Sequence, residues 1–147
     1  MAGGKFYLTT AIDYANGDPH IGHAYEKIGA DVIARYHRQC GDEVTFLTGL
    51  DEHGQKVAQA AAECGVSPQQ FVDGIASRFD AMWQRLSISF DRFMRTTEAG
   101  HKRGVRALIK RIHDGNPDDF YEKSYEGWYC VGCELFKRDN EIVDGKC

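Results

Sequence analysis

Residues 5–23, KFYLTTAIDYANGDPHIGH, decide the architecture of this chain. Lys5 to Ile12 form a continuous apolar, aromatic and Thr-bearing run, which predicts a buried strand. Asn16-Gly17 and Asp18-Pro19 then signal a turn. From His20 a helical period sets in and runs to Gln39. Ile21, Tyr25, Ile28, Val32 and Tyr36 recur at three- and four-residue steps and predict one apolar face, and Gly41 stands where a helix C-terminal cap belongs.

Working outward, the grammar repeats. Residues 43–49, EVTFLTG, read as a second strand, followed directly by Asp51-Glu52-His53-Gly54. A short Ala-rich helix, QKVAQAAAEC, stops at Gly65. Ser67, Pro68 and Gln70 supply an N-cap, a first-turn proline and a capping-box partner for the next helix, with Phe71, Ile75, Phe79, Met82 and Leu86 expected to face inward. DRFMRTT (91–97) reads as a third strand. The last helix, EAGHKRGVRALIKRIHDG, places Val105, Leu108, Ile109 and Ile112 inward. This alternation predicts an α/β fold: a parallel, doubly wound sheet with helices on both faces.

The bulk properties agree. A chain of 147 residues with 42% hydrophobic and 27% charged residues suits a globular domain. A net charge of −4 argues against a strong nucleic-acid binder acting by itself. No apolar run is long enough to cross a bilayer, and the N-terminus lacks the apolar core of a secretory signal, so a cytoplasmic location and no membrane partner are expected. Composition shifts near Gly115. Residues 1–115 read as an α/β domain, and 116–147 as a separate aromatic, cysteine-bearing segment.

In a parallel sheet of this kind ligands bind beyond the carboxyl ends of the strands. His20, Gly22 and His23 sit there, at a helix N-terminus whose N–H groups and dipole favour phosphate. Gly22 removes a Cβ where a base or phosphate must come close. The two imidazoles, at i and i+3, share a face and suit hydrogen bonding to phosphate oxygens as charge builds. Asp51, at the end of the second strand, is placed to bind a substrate ammonium or merely to cap the following helix. Tyr14 lies on the loop leading to His20 and can line the same crevice.

TTAIDYANGDPHIGHAYE and FLTGLDEHGQKV together closely resemble the methionyl-tRNA synthetases, which are class I aminoacyl-tRNA synthetases. His20-Ile21-Gly22-His23 matches their HIGH signature letter for letter. TGLDEHG distinguishes them from the synthetases for Ile, Val, Leu and Cys, and YEGWYCVGCELF continues the likeness across essentially the whole chain. The resemblance implies a Rossmann-type (HUP-like) half-domain followed by the start of a zinc-knuckle insertion. It implies activation of methionine with ATP and Mg2+ to methionyl-adenylate, then transfer to tRNA(Met). His20 and His23 would act on the phosphates and Gly22 would admit adenine. Asp51 would hold the methionine ammonium, with Ile12 and Tyr14 lining the methionine pocket. Asp13 stands where many relatives have other residues, often proline.

Cys130-x-x-Cys133, with Cys147 after thirteen intervening residues, fits part of a tetrahedral zinc pattern. The family supplies a fourth Cys or His beyond Cys147. A redox reading of Cys-x-x-Cys is disfavoured because the surrounding residues look like strand and turn, with no following helix. Cys40 and Cys64 read as small apolar residues near helix ends. The basic run from His101 to Arg111 reads as a solvated helix face, and the aromatics from Phe120 to Tyr129 as packing around the insertion.

The lysine-bearing KMSKS signature of class I synthetases does not occur in these 147 residues. The expectation is therefore an N-terminal part of a synthetase, weakly active or inactive alone, with its oligomeric state unspecified. The rival readings are a small His-x-Gly-His nucleotidyltransferase and a non-catalytic synthetase-like regulatory half-domain.

Overall fold

The structure, a computed structural model, describes residues 3–147. Its contacts divide the chain into two units, Met1–Arg103 and Gly104–Cys147. The division falls inside the last long helix, and the compositional shift at residue 115 lies within the second unit.

The first unit is α/β. Strand β1 (Lys5–Thr9) and the two-residue strand β2 (Asp13–Tyr14) precede helix α1 (Ile21–Gln39). Strand β3 (Glu43–Asp51), helices α2 (Gln55–Glu63) and α3 (Pro68–Arg85), strand β4 (Arg92–Arg95) and helix α4 (Ala99–Gly115) follow. Every pairing in this sheet is parallel. β3 is central. β1 and β2 lie along one of its edges, Thr9 opposite Leu47 and Asp13 opposite Leu50, while β4 pairs with Leu47–Leu50 on the other. The expected strand Lys5–Ile12 is thus interrupted at residues 10–12, and Asp13 and Tyr14, assigned from sequence to a turn, resume it.

Phe46, Thr48 and Leu50 alternate onto one face of β3 and are buried. Phe46 packs with Ala30 and Ala34 of α1. Leu50 packs with Val57 of α2 and with Val72, Ile75, Phe79 and Trp83 of α3. On the opposite face Tyr7, Thr9 and Thr45 are exposed. The expected helical layer on that side is not supplied among the described residues.

Helix α1 also corrects the sequence. Its apolar stripe is exposed: Ile21 at 84%, Tyr25 at 82%, and Ile28, Val32 and Tyr36 with them. The buried face is Ala24, Lys27, Ala30, Asp31 and Ala34. Small side chains let the helix axis approach the sheet, and the polar members are held by ion pairs. Asp31 accepts from Ser89 N–H at 2.7 Å and from Arg35 Nε at 2.6 Å. In α4 the four residues expected to face inward, Val105, Leu108, Ile109 and Ile112, are likewise exposed. In α3 the capping box forms as expected, with Ser67 Oγ and the Gln70 side chain bonding reciprocally. Ile75 and Phe79 are buried there, but Leu86 is exposed, and Val72, Ala76 and Trp83 take the remaining core positions.

The second unit holds the end of α4, a 3-10 turn (Pro117–Asp119) and an antiparallel hairpin of β5 (Trp128–Cys130) and β6 (Leu135–Lys137). A second 3-10 turn (Asp139–Glu141) follows. Tyr125 and Tyr129 pack edge-on against Phe136, with centroids 4.8 and 5.1 Å apart. No described helix is long and apolar enough to cross a membrane.

Candidate functional site

The carboxyl edge of the sheet brings the first group of residues together. His20 is the N-cap of α1, and its Nδ1 accepts the N–H of Gly22 at 3.1 Å. His23, three residues on, accepts the N–H of His20 on its own Nδ1 at 3.2 Å. The two histidines thereby form a capping box, a task usually given to Ser and Glu. Both Nδ1 atoms accept from backbone, so each neutral ring carries its proton on Nε2. The rings stack at 3.7 Å, and His23 rests against the buried Phe79 ring at 5.1 Å. Burial lowers the His23 pKa, against the opposing charge of Asp13, and the neutral imidazole is favoured. A Cβ on Gly22 would meet the His20 ring at 3.0 Å. Glycine here lets the imidazole fold over the first helical turn.

Tyr14 and Asp51 are register partners across β2 and β3, and Ala15 N–H donates to Asp51 C=O at 2.9 Å. Asp51 is half-buried and is the last residue of its strand. It does not cap α2: the N-cap there is Gly54, with no side-chain bond. The capping alternative raised for Asp51 is therefore removed. Gly54 has φ +119°, and a Cβ on it would stand 2.5 Å from the Tyr14 hydroxyl. The glycine thus keeps space for the Tyr14 side chain, a role the sequence reading did not assign. Its only signal was a glycine between a strand-end acid and a helix. Ile12 is exposed in the interruption between β1 and β2.

Beside this edge Glu52 is buried. It accepts from Arg95 Nε at 2.6 Å and from the Thr97 hydroxyl, and its N–H donates to Thr96 Oγ1 at 2.9 Å. Arg95 also reaches Asp73 at 2.6 Å, which clamps the ends of β3 and β4 to α3. Sequence reasoning missed this cluster. Thr96 and Thr97, which carry part of it, read from sequence only as the end of the DRFMRTT strand.

In the second unit Cys130 ends β5, Cys133 lies in the hairpin turn, and Cys147 folds back onto them. The sulfurs lie 3.2 Å (Cys130–Cys147) and 3.8 Å (Cys133–Cys147) apart, all three within 4.8 Å of one another. Metal–sulfur bonds of about 2.3 Å in a tetrahedral zinc site hold sulfurs roughly 3.8 Å apart, so the three thiols fit one ion. The Cys133 N–H, followed by the neighbouring thiols, draws the Cys130 thiol down to about 7. Hydrogen bonding to Cys130 and Cys133 pushes Cys147 up to about 11. Cys40 and Cys64, expected to behave as small apolar residues, are exposed helix C-caps.

A family model described as tRNA synthetases class I (M) matches residues 6–147. The chain therefore belongs to the class I tRNA synthetases, in their methionyl (M) family. The Methionine--tRNA ligase of Deinococcus radiodurans is 51% identical over 142 residues, covering 96% of this chain and 21% of that protein. That of Thermotoga maritima is 48% identical over 139 residues, covering 95% of this chain and 22% of that protein. Among solved structures, Mycobacterium tuberculosis methionyl-tRNA synthetase bound by methionyl-adenylate aligns with a TM-score of 0.87 at 47% identity, covering 96% of this chain and 28% of that one. The chain spans about a fifth of the length of these curated relatives.

Proposed function

We propose that this chain is the methionine- and ATP-binding front part of a cytoplasmic methionine–tRNA ligase. The observation that carries the reading is the carboxyl edge of the sheet. There, two imidazoles with their Nε2–H groups left as donors share an edge with the Tyr14–Asp51 pair. In the proposed reaction the methionine carboxylate attacks the α-phosphorus of ATP, releasing pyrophosphate and forming methionyl-adenylate. The acyl group then passes to the terminal adenosine of tRNA(Met).

The assigned roles follow from chemistry. Asp51 accepts the methionine ammonium through a charge-assisted hydrogen bond. Tyr14 and Ile12 flank the amino-acid side. His20 and His23, at the positive end of α1, donate from Nε2 to phosphate oxygens as charge develops, and Gly22 keeps the helix mouth open to adenine. ATP arrives with Mg2+. Nothing in this scheme needs a covalent enzyme intermediate, so catalysis is positioning plus electrostatics.

Residues 116–147 begin a zinc-binding insertion in this reading, with Cys130, Cys133 and Cys147 as three thiolate ligands. When bound, zinc organises a segment that has little apolar core of its own. The two Tyr–Phe edge contacts support that role for the aromatics over a base-stacking one.

The test is methionine-dependent exchange of labelled pyrophosphate into ATP by a protein carrying this chain and the remaining length of its relatives. Exchange stimulated by methionine and by no other amino acid is the expected result. Absence of exchange, with methionine and ATP still bound, would replace the ligase reading by a regulatory one. Transfer of the adenylyl group to a nucleotide-type acceptor would replace it by a nucleotidyltransferase.

A further inference from the structure

The interruption between β1 and β2 is a β-bulge. Residues 10–12 stand opposite only Thr48 and Gly49, because Thr9 pairs with Leu47 while Asp13 pairs with Leu50. An extra residue in one strand breaks the ladder, leaves backbone groups to be satisfied elsewhere and re-aims the side chains that follow. For Ala11 those groups are met by α1, while the Thr10 N–H still reaches the Leu47 carbonyl at 3.3 Å. The N–H of Ala11 donates to Glu26 Oε1 at 3.1 Å, and its carbonyl accepts from Lys27 Nζ at 3.1 Å.

Lys27 is fully buried. Its ammonium also donates to Asp13 Oδ1 at 2.9 Å and Glu26 Oε2 at 2.7 Å, and it lies 5.8 Å from the centre of the Trp83 ring. A buried ammonium is costly unless every proton is matched, and these three acceptors match it. Of these, Ala11 C=O lies in the bulge and Asp13 opens β2 directly after it. Lys27 is also one turn beyond His23 on α1. It thereby ties the helix that carries both histidines to the segment that carries Ile12 and Tyr14.

We propose that Lys27 is a positioning residue for amino-acid binding. By clamping Ala11 and Asp13 it holds the bulge that sets Tyr14 opposite Asp51. The inference rests on the methionine-site reading above. A generic core lysine would have acceptors scattered over the fold. These are all in the bulge, on the first residue of β2 or on the adjacent residue of its own helix.

The experiment uses the longer protein described under the proposed function. It measures KM for methionine, KM for ATP, and kcat in pyrophosphate exchange. Lys27→Met is expected to raise the methionine KM about tenfold or more, with the ATP KM within about twofold, since displacing a binding group by an ångström is costly. The double variant Asp13→Leu with Lys27→Met replaces the ion pair by apolar groups and restores stability. It leaves the Ala11 carbonyl unclamped, so its methionine KM stays high. A methionine KM that returns to the parental value together with the melting temperature would overturn the proposal. So would equal rises in both KM values. If neither variant folds, Asp13→Asn, nearly isosteric, is measured instead: a raised methionine KM supports the clamp and an unchanged one overturns it. Failure of the parent protein to show methionine-dependent exchange would instead remove the site reading itself.

Discussion

The main-chain N–H of His20 donates to Nδ1 of His23 at 3.2 Å, and the two imidazoles stack with centroids 3.7 Å apart. A signature expected on chemical grounds therefore also builds the helix end that carries it. The two duties separate by mutation. His20→Asn keeps a capping acceptor and should leave stability within about 0.5 kcal/mol. In the longer protein it should slow adenylate formation by about 10²- to 10³-fold while methionine affinity holds. Denaturant titration and pyrophosphate exchange check the two halves, and matching losses in binding and rate would remove the transition-state role.

Gly54→Ala meets two obstacles, a φ of +119° and the Tyr14 hydroxyl 2.5 Å from the new Cβ. A destabilisation of about 1–3 kcal/mol is expected. Adding Tyr14→Phe removes the oxygen but not the backbone strain, so a partial recovery of the denaturant midpoint is the predicted outcome. Full recovery would assign the whole effect to the clash.

Asp31 sets part of the acid limb of stability. Burial acts to raise its pKa, but bonds from Ser89 and Arg35 prevail and hold it below the ordinary 3.8. The unfolded chain therefore takes up the proton first. The stabilisation is fully present above about pH 4 and is lost as pH falls through the lower folded value. Asp31→Asn should lower stability at neutral pH and flatten the decline below about pH 4. An unchanged acid limb in urea titrations would show that Asp31 is not its source.

The cysteine cluster should bind Co2+ with the thiolate-to-metal absorption of a sulfur-rich site. Bonding within the cluster pushes the Cys147 thiol up to about 11, and the Cys133 N–H holds Cys130 down at about 7. Metal must displace these protons, so apparent affinity rises with pH, more steeply below about pH 7 than above it. Cys133→Ser should weaken binding markedly, and Cys64→Ser, outside the cluster, should not change it. Equal effects from the two would refute the site.

Two positions on α1 test which face is core. Val32 is 61% exposed, whereas Ala34 is fully buried beside Phe46. Val32→Glu should leave the stability of the chain within about 0.5 kcal/mol, because it changes an exposed position. Ala34→Leu should cost about 1–3 kcal/mol by overpacking. Calorimetry distinguishes these outcomes from the reverse pattern that the sequence periodicity implied.

The sequence by itself determined what depends on neighbours along the chain. Strand, turn and helix around His20 are set by local conformational preference. So are the capping box at Ser67 and the turn that carries Cys133. The motif residues follow at once from that order, because a parallel sheet puts each strand's carboxyl end on one side. The tertiary structure decided what depends on partners distant in sequence. Periodicity marked a stripe on α1 but could not say whether a sheet would meet it. The close approach went to Ala24, Ala30 and Ala34, whose small side chains let the backbones near each other. Lys27 is buried against Ala11, where β1 and β2 slip by one residue against β3. That same slip places Tyr14 opposite Asp51, and register is a property of two strands, so neither segment encodes it alone.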